Sequence, residues 1–202
     1  MTTTLFTNAH IATGEPGSTA ASTLPLQDIL VTDGVFTAFG PGLAQQYEAQ
    51  GGDLAAIEVV DLGGKLVCPP FCDTHLHLDY VFTARKPGAV NESGTLFEGI
   101  QRWSETKSDL TVDEIKQRAK IGIKKEMLHG VQLIRSHADV TDPNLTSLKA
   151  LLELKEELKD TVTLQIVSFP QEGMYSYEGP HGESGADLVE EGLKMGADCV
   201  GG

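Results

Sequence analysis

The chain has 202 residues, of which 40% are hydrophobic, so it can bury a core in one domain or in one domain with a smaller companion. Its formal net charge is −14, and a field of that sign repels phosphate backbones and anionic membrane surfaces. We therefore expect neither a nucleic acid nor a membrane as a partner. The basic cluster from Lys116 to Lys125 alternates with apolar residues, as a solvated helix face does.

Three cysteines, Cys68, Cys72 and Cys199, form an odd set whose spacing differs from that of structural zinc sites. The sequence shows no secretory leader and no apolar run near the ~18 residues that a membrane span requires. Together these features predict a reducing, cytoplasmic location.

Residues 1–64 are predicted to be rich in β-strands. The Asp33-Gly34 pair within residues 28–39 predicts a β-hairpin, because a type I′ turn needs positive φ at both central residues. A second hairpin is expected where Gly63-Gly64 joins residues 57–62 to residues 65–68. Residues 41–53, between the two hairpins, are expected to form a loop or a short helix.

From Pro69 onward, strands alternate with amphipathic helices, a pattern typical of βα units around a parallel sheet. The first strand is expected to end in His75-Leu-His77, and later strands are expected over residues 131–136, 161–169 and 198–200. Helices are expected over residues 95–106, 111–130 and 186–194, with a further leucine-rich helix beginning at Asp142-Pro143. Thr111-Val-Asp-Glu114 has the spacing of a capping box at a helix start.

Sequential βα units build either a doubly wound sheet or a (β/α)8 barrel. No glycine-rich dinucleotide fingerprint follows any predicted strand, which favours the barrel. A complete barrel takes roughly 250 residues, so residues 65–202 are predicted to form the first half of a (β/α)8 TIM-like barrel. Because an open parallel sheet exposes unpaired strand edges, we expect an N-terminal part of a longer polypeptide, or a chain that relies on another to close the sheet.

His75 and His77 lie at the end of the first barrel strand, where barrel active sites are built. Side chains two residues apart on a strand share a face, with Cα atoms ~6.5 to 7 Å apart. Two imidazoles can converge from that separation on one ion, with bonds of ~2.0 to 2.1 Å. A His-x-His pair is often only a polar strand end, but this position, the preceding apolar run and the following Asp79 favour a metal site.

Further polar groups follow the other predicted strands on the same rim. His137 comes after the second strand and is interpreted as a hydrogen-bonded interior histidine, because nothing pairs with it at ligand spacing. Gln171 and Glu172 come after the third strand. The Gln171 amide offers a donor and an acceptor, the complement of an N–H beside a C=O on a heterocycle, although ordinary loop chemistry also explains it. The sequence carries no nucleophile elbow, no P-loop and no signature of the small zinc nucleobase deaminases.

The strand-rich opening, followed by Pro69-Pro-Phe71 and His75-Leu-His77-Leu-Asp79, resembles the amidohydrolase superfamily of metal-dependent hydrolases. Two longer stretches are similar to its bacterial cytosine deaminase branch: Ser93-Gly-Thr-Leu-Phe-Glu-Gly-Ile-Gln-Arg-Trp103 and Gln165-Ile-Val-Ser-Phe-Pro-Gln-Glu-Gly173. The resemblance implies a (β/α)8 barrel preceded by a segment of a small β-sandwich, residues 1–64.

By this resemblance, His75 and His77 bind a catalytic divalent metal, iron or zinc, and Gln171 contacts the edge of a small heterocyclic base. The implied reaction is hydrolysis of cytosine to uracil and ammonia, with water activated by the metal. The family's remaining ligands and its proton-shuttling glutamate are not found in residues 1–202. We therefore expect no catalytic acid or base in this chain, no activity of the chain alone, and a homo-oligomer in the full-length form.

Two alternatives stay open from the sequence. One is a related C–N hydrolase acting on another heterocycle, such as an aminotriazine, since specificity depends on loops outside this chain. The other is a non-catalytic half-barrel that serves as an interaction subunit. The missing ligands favour the second alternative, whereas the presence of His75, His77 and Gln171 counts against it.

Overall fold

The N-terminal part of the chain forms a five-stranded sheet. The computed structural model describes residues 2–12 and 24–201, and the chain divides between Pro69 and Pro70 into two units. The sheet of the first unit has the order β3-β2-β1-β4, with β5 also paired to β1. Its elements are β1 (Thr3–Ile11), β2 (Leu26–Thr32), β3 (Val35–Gly40), α1 (Leu43–Ala49), β4 (Glu58–Asp61) and β5 (Leu66–Val67).

Of the two predicted hairpins, the first is confirmed and the second is wrong. Strands β2 and β3 pair antiparallel around Asp33 and Gly34, whose φ angles are 49° and 77°. Strands β4 and β5 instead both pair parallel with β1. Gly63 and Gly64 have positive φ, and Gly64 N donates to Asn8 O at 2.8 Å. The two glycines therefore make a local bend along β1 rather than a chain reversal.

The second unit is built on four parallel strands in the order β6-β7-β8-β9, as the alternation of strands and helices predicts. The strands are β6 (Phe71–Leu76), β7 (Val131–Asp139), β8 (Thr163–Phe169) and β9 (Cys199–Val200). The helices are α2 (Leu96–Lys107), α3 (Val112–Leu128), α4 (Thr146–Glu157) and α5 (Gly185–Met195). Every helix within the described ranges is too short or too polar to cross a membrane.

Two element boundaries differ from the prediction by three residues or more. Strand β7 continues three residues past Ser136, so His137 and Asp139 lie on the strand itself. Helix α4 begins at Thr146 rather than at Asp142-Pro143. The Asp142 carboxylate accepts hydrogen bonds from Asn144 N at 3.0 Å and Thr146 N at 2.9 Å, so it stabilises a turn that precedes the helix.

The core of the second unit lies between the sheet and helices α3, α4 and α5. The capping box predicted at the start of α3 is present, with Thr111 and Glu114 bonding each other's backbone N–H groups. A Cβ on Gly192 of α5 would lie 2.5 Å from Ser168 Oγ on β8, so only glycine allows this close approach of helix and strand. Helix α4 contributes fully buried leucines to the same core: Leu148, Leu151 and Leu154.

We expect Leu151→Ala to lower the free energy of unfolding by about 3 kcal/mol, because truncating a fully buried leucine loses apolar burial and leaves a cavity. Urea denaturation followed by circular dichroism measures this. The matched control is Leu128→Ala, at a leucine that is 74% exposed, where a change within about 0.5 kcal/mol is expected. Equal effects of the two substitutions would contradict the placement of α4 in the core.

Candidate functional site

Three histidines meet at the carboxyl ends of β6 and β7. Each of His75, His77 and His137 offers one ring nitrogen, and the three nitrogens lie within 4.8 Å of one another. The His75 and His137 rings are stacked with centroids 4.0 Å apart, and His77 lies 5.3 Å from both. The spacing of the nitrogens is close to the ~4 Å span that two ligands of one transition-metal ion can reach.

The chemistry of these rings fits a metal. Nδ1 of His77 and Nδ1 of His137 are buried and have no hydrogen-bond partner among residues 2–12 and 24–201. Burial, together with the neighbouring His137 and His75, lowers the pKa of His77 to about 4. Burial likewise lowers the pKa of His137. Neutral imidazoles with free lone pairs are the form that binds metal, so the cluster can hold a divalent transition-metal ion.

The position of His137 corrects the sequence interpretation. We expected an interior histidine satisfied by hydrogen bonds, but its buried Nδ1 lacks a partner within the described part of the chain, and its ring lies against His75. Spacing along the chain does not identify His137 as a neighbour of His75 and His77, because it lies on a different strand. Strand pairing supplies the missing proximity, since Leu76 and Ser136 are opposite each other in the β6–β7 ladder.

A buried carboxylate joins the ends of the two strands behind the histidines. Asp79 is fully buried, and its oxygens accept hydrogen bonds from Asp139 N at 2.9 Å and Tyr80 N at 3.0 Å. Its Oδ1 atom is 4.0 Å from Nδ1 of His77, which is beyond hydrogen-bond distance. Burial raises the pKa of Asp79 to about 7, although these two N–H groups favour its ionised form.

Two of the three histidines, His75 and His77, open onto a cleft of about 810 Å³. His75, His77 and Gln171 line this cleft together with the aromatic side chains of Tyr80, Trp103 and Phe169. Gln171 follows β8, and its side-chain amide makes no hydrogen bond with the described residues, so both of its polar atoms are free to meet a ligand. The sequence-predicted metal ligands and the predicted ring contact thus line one cavity.

A polar network that the sequence did not reveal fastens α2 to the strand ends. Lys107 Nζ donates to Asp139 Oδ2 and to Thr141 Oγ1, each at 3.0 Å, and it also contacts Glu172. Ser104 Oγ donates to Glu172 Oε1 at 2.8 Å. Because Glu172 adjoins Gln171, this network also holds the loop that carries the cleft-lining amide.

A sequence model of the amidohydrolase family matches residues 58–195 of the chain. The structure of 5-methylcytosine deaminase from Klebsiella pneumoniae, liganded with 5-fluorocytosine, matches 98% of this chain and 43% of that chain, with 40% identity and a TM-score of 0.79. N-isopropylammelide isopropylaminohydrolase from Burkholderia multivorans matches 99% of this chain and 44% of that chain, with 23% identity and a TM-score of 0.73. That second likeness concerns the fold alone.

A curated relative, N-isopropylammelide isopropyl amidohydrolase of Pseudomonas sp. (strain ADP), is 35% identical over 147 residues. This match covers 71% of the present chain and 35% of the relative. The chain therefore spans less than half the length of each of these three relatives. The similarity of fold confirms the predicted fold class, an α/β chain with the architecture of part of a (β/α)8 barrel.

We expect the chain to bind one Zn²⁺ per molecule at pH 7, because the ring nitrogens of three histidines lie within 4.8 Å of one another. Replacing His75, His77 or His137 singly by Ala is expected to weaken binding by at least about tenfold, since each removes one candidate ligand. Competition with a chromophoric chelator measures the affinity. His129→Ala, outside the cluster, is the control and should retain the affinity of the unsubstituted chain. Unchanged affinity in all three cluster variants would contradict the site.

In the metal-free chain, His77 should make stability depend on pH. Its folded pKa of about 4 lies below the ordinary value of 6.5, so between these values the folded chain binds fewer protons than the unfolded chain. The free energy of unfolding should therefore fall as the pH is lowered from 6.5 to 4, by up to about 3 kcal/mol.

Urea denaturation of the chain and of His77→Gln, with chelator present, isolates this contribution. Asp79, whose raised pKa has the opposite effect on stability, is present in both proteins. We expect the variant to gain stability relative to the unsubstituted chain as the pH falls. The burial of a neutral His77 would be contradicted if the two proteins differed in free energy of unfolding by the same amount at every pH from 7 to 4.

Proposed function

The chain belongs to the amidohydrolase family, whose sequence model matches residues 58–195, and on that premise we propose that it supplies the metal-binding and ring-binding part of a hydrolytic deaminase. The proposed substrate is a pyrimidine-type base, and the proposed reaction converts cytosine and water to uracil and ammonia. The proposed metal is iron or zinc, held by His75 and His77. The cytoplasmic location, the absence of a nucleic-acid partner and the homo-oligomeric full-length form stay predictions.

The observation that carries this proposal is that His75, His77 and Gln171 line one cleft. A cleft of about 810 Å³ lies within the range of roughly 300–1,000 Å³ that small-ligand sites occupy. Tyr80, Phe82, Trp103 and Phe169 form part of its walls, and a planar base can stack on such faces. The Gln171 amide can donate to a ring nitrogen or carbonyl and accept from a ring N–H, which is the pattern of a pyrimidine edge.

The contribution of this chain to the reaction is binding and orientation. A divalent metal, when bound, lowers the pKa of a coordinated water so that it becomes a nucleophile near neutral pH. His77, which lines the cleft, and the adjacent His137 each have a buried Nδ1 without a hydrogen-bond partner in the described part of the chain, and burial lowers the pKa of both rings. Gln171 orients the ring, and Phe169 and Trp103 shield it from bulk water. We assign no proton-transferring acid or base to this chain and expect no turnover by the chain alone.

A second substrate class is an aminotriazine or another N-substituted ring. The observation that favours it is the 35% identity to the N-isopropylammelide isopropyl amidohydrolase of Pseudomonas sp.. The same cleft and the same amide suit both classes of ring, since each is a planar heterocycle with alternating donors and acceptors. The 40% identity to the Klebsiella 5-methylcytosine deaminase leads us to place the pyrimidine first.

A chimera tests the proposal directly. The segment of the Klebsiella enzyme that matches this chain is replaced by the chain, and the purified, metal-loaded chimera is assayed for ammonia release from cytosine and 5-methylcytosine. We expect turnover of the pyrimidines above that of N-isopropylammelide, which is assayed for release of isopropylamine. The reason is that the substituted segment carries both the histidine cluster and Gln171.

His75→Ala in the chimera should abolish turnover, and Gln171→Ala should raise KM for the pyrimidine. The control His129→Ala should leave both parameters unchanged. The 202-residue chain assayed alone should release no ammonia. A folded, metal-loaded chimera that turns over none of the pyrimidines would contradict the proposal, and a preference for the triazine would replace it by the second candidate.

A further inference from the structure

A column of aromatic rings runs from the histidine cluster to helix α2. The His77 ring is stacked on Tyr80 with centroids 4.7 Å apart and an interplanar angle of 25°. Tyr80 in turn packs on Trp103, with centroids 4.9 Å apart. Phe169 meets His77 edge-on, at 5.5 Å. The imidazole of His77 is therefore confined by ring contacts from two directions.

Trp103, at the far end of this column, is fixed by a buried hydrogen bond. Its side chain is 5% exposed, and Nε1 donates to Asp139 Oδ2 at 2.7 Å. Asp139 is itself held by Lys107 Nζ at 3.0 Å and by Thr141, whose N and Oγ1 donate to Oδ1 at 2.8 and 2.6 Å. These donors hold the Asp139 carboxylate in one orientation. The indole of Trp103, which donates to that carboxylate, is therefore held in one orientation as well.

His77 needs such support because it lacks the usual kind. Ligand histidines in metal sites generally donate their second ring N–H to a carboxylate or a carbonyl, which fixes the orientation of the ring. Among residues 2–12 and 24–201, neither ring nitrogen of His77 makes a hydrogen bond, and Oδ1 of Asp79 is 4.0 Å from Nδ1. The faces of neighbouring rings are left to set the angle at which the imidazole enters the cluster.

We propose that Trp103, anchored by Asp139, is a positioning residue that sets the orientation of the His77 imidazole through Tyr80. The proposal rests on the metal centre put forward under the proposed function and adds a determinant of its geometry outside the ligands. Trp103 and Tyr80 do not bind the ion; they hold one of its ligands in place. Loss of such support typically weakens metal binding by about 10- to 100-fold.

The test measures Zn²⁺ affinity by chelator competition and the visible absorption spectrum of the Co²⁺-loaded chain, which reports ligand geometry. Tyr80→Leu and Trp103→Phe are each expected to weaken Zn²⁺ binding by about tenfold and to change the Co²⁺ spectrum. Tyr80→Phe keeps the stacked ring and should retain both properties of the unsubstituted chain. Phe97→Ala, at a ring of α2 that is 82% exposed, is the matched control.

Fluorescence gives an independent readout, because Trp103 is the only tryptophan in the sequence. Saturation of the unsubstituted chain with Zn²⁺ should shift or quench its emission, and the double variant His75→Ala/His77→Ala should show no change. This measurement needs no substitution of Tyr80 or Trp103, so it applies even where a variant of either residue fails to fold.

The outcomes separate the two proposals. Unaltered Zn²⁺ affinity and Co²⁺ spectrum in folded Tyr80→Leu and Trp103→Phe would overturn the positioning role while leaving the metal centre intact. The positioning role would also be overturned if Zn²⁺ bound at the histidines but left the tryptophan emission unchanged. Undiminished Zn²⁺ affinity in the double histidine variant would instead overturn the metal centre itself.

Discussion

The parallel register of β6, β7 and β8 is the constraint on which the site depends. Pairing of Leu76 with Ser136, and of Asp139 with Phe169, brings the carboxyl ends of three strands to one edge of the sheet. Residues 62 positions apart in sequence, His75 and His137, consequently stack ring on ring. A shift of β7 by one residue would turn His137 to the other face of the sheet, because side chains alternate along a strand.

Buried polar contacts reinforce this edge. The Asp79 carboxylate ties the chain after β6 to the backbone of β7, and the Asp139 carboxylate ties β7 to α2. Both acids are almost completely inaccessible to solvent, so each depends on its hydrogen bonds to offset the cost of burial. The result is a rigid rim of strand ends and one helix, against which the histidine cluster and Gln171 are held.

Much of this arrangement was accessible from the sequence, because it follows from local patterns. Alternating strands and helices predicted the parallel sheet, the Asp33-Gly34 pair predicted a hairpin, and the strand position of His75 and His77 predicted a shared face. These features depend on residues that are close in the chain, where backbone periodicity alone determines which side chains are neighbours.

What the sequence did not disclose depends on contacts between distant residues. The position of His137 beside His75 and His77 follows only from the extension of β7 to Asp139 and its pairing with β6. The prediction of a second hairpin was wrong because Gly63-Gly64 is locally typical of a chain reversal. Both flanking strands instead pair with β1, so the chain continues in the same direction through the two glycines. The four-residue spacing of Trp103 and Lys107 indicates that the two side chains share one face of α2. Nothing in the sequence indicated that this face contacts Asp139.

X-ray absorption at the zinc edge of the metal-loaded chain tests the central claim most directly. If the histidine cluster is the metal site, the fine structure should contain imidazole scattering from at least two histidines, with zinc–nitrogen distances of ~2.0 to 2.1 Å. That scattering should disappear when His75 and His77 are both replaced by Ala. A first shell made of oxygen alone, or imidazole scattering that persists in the double variant, would contradict the account.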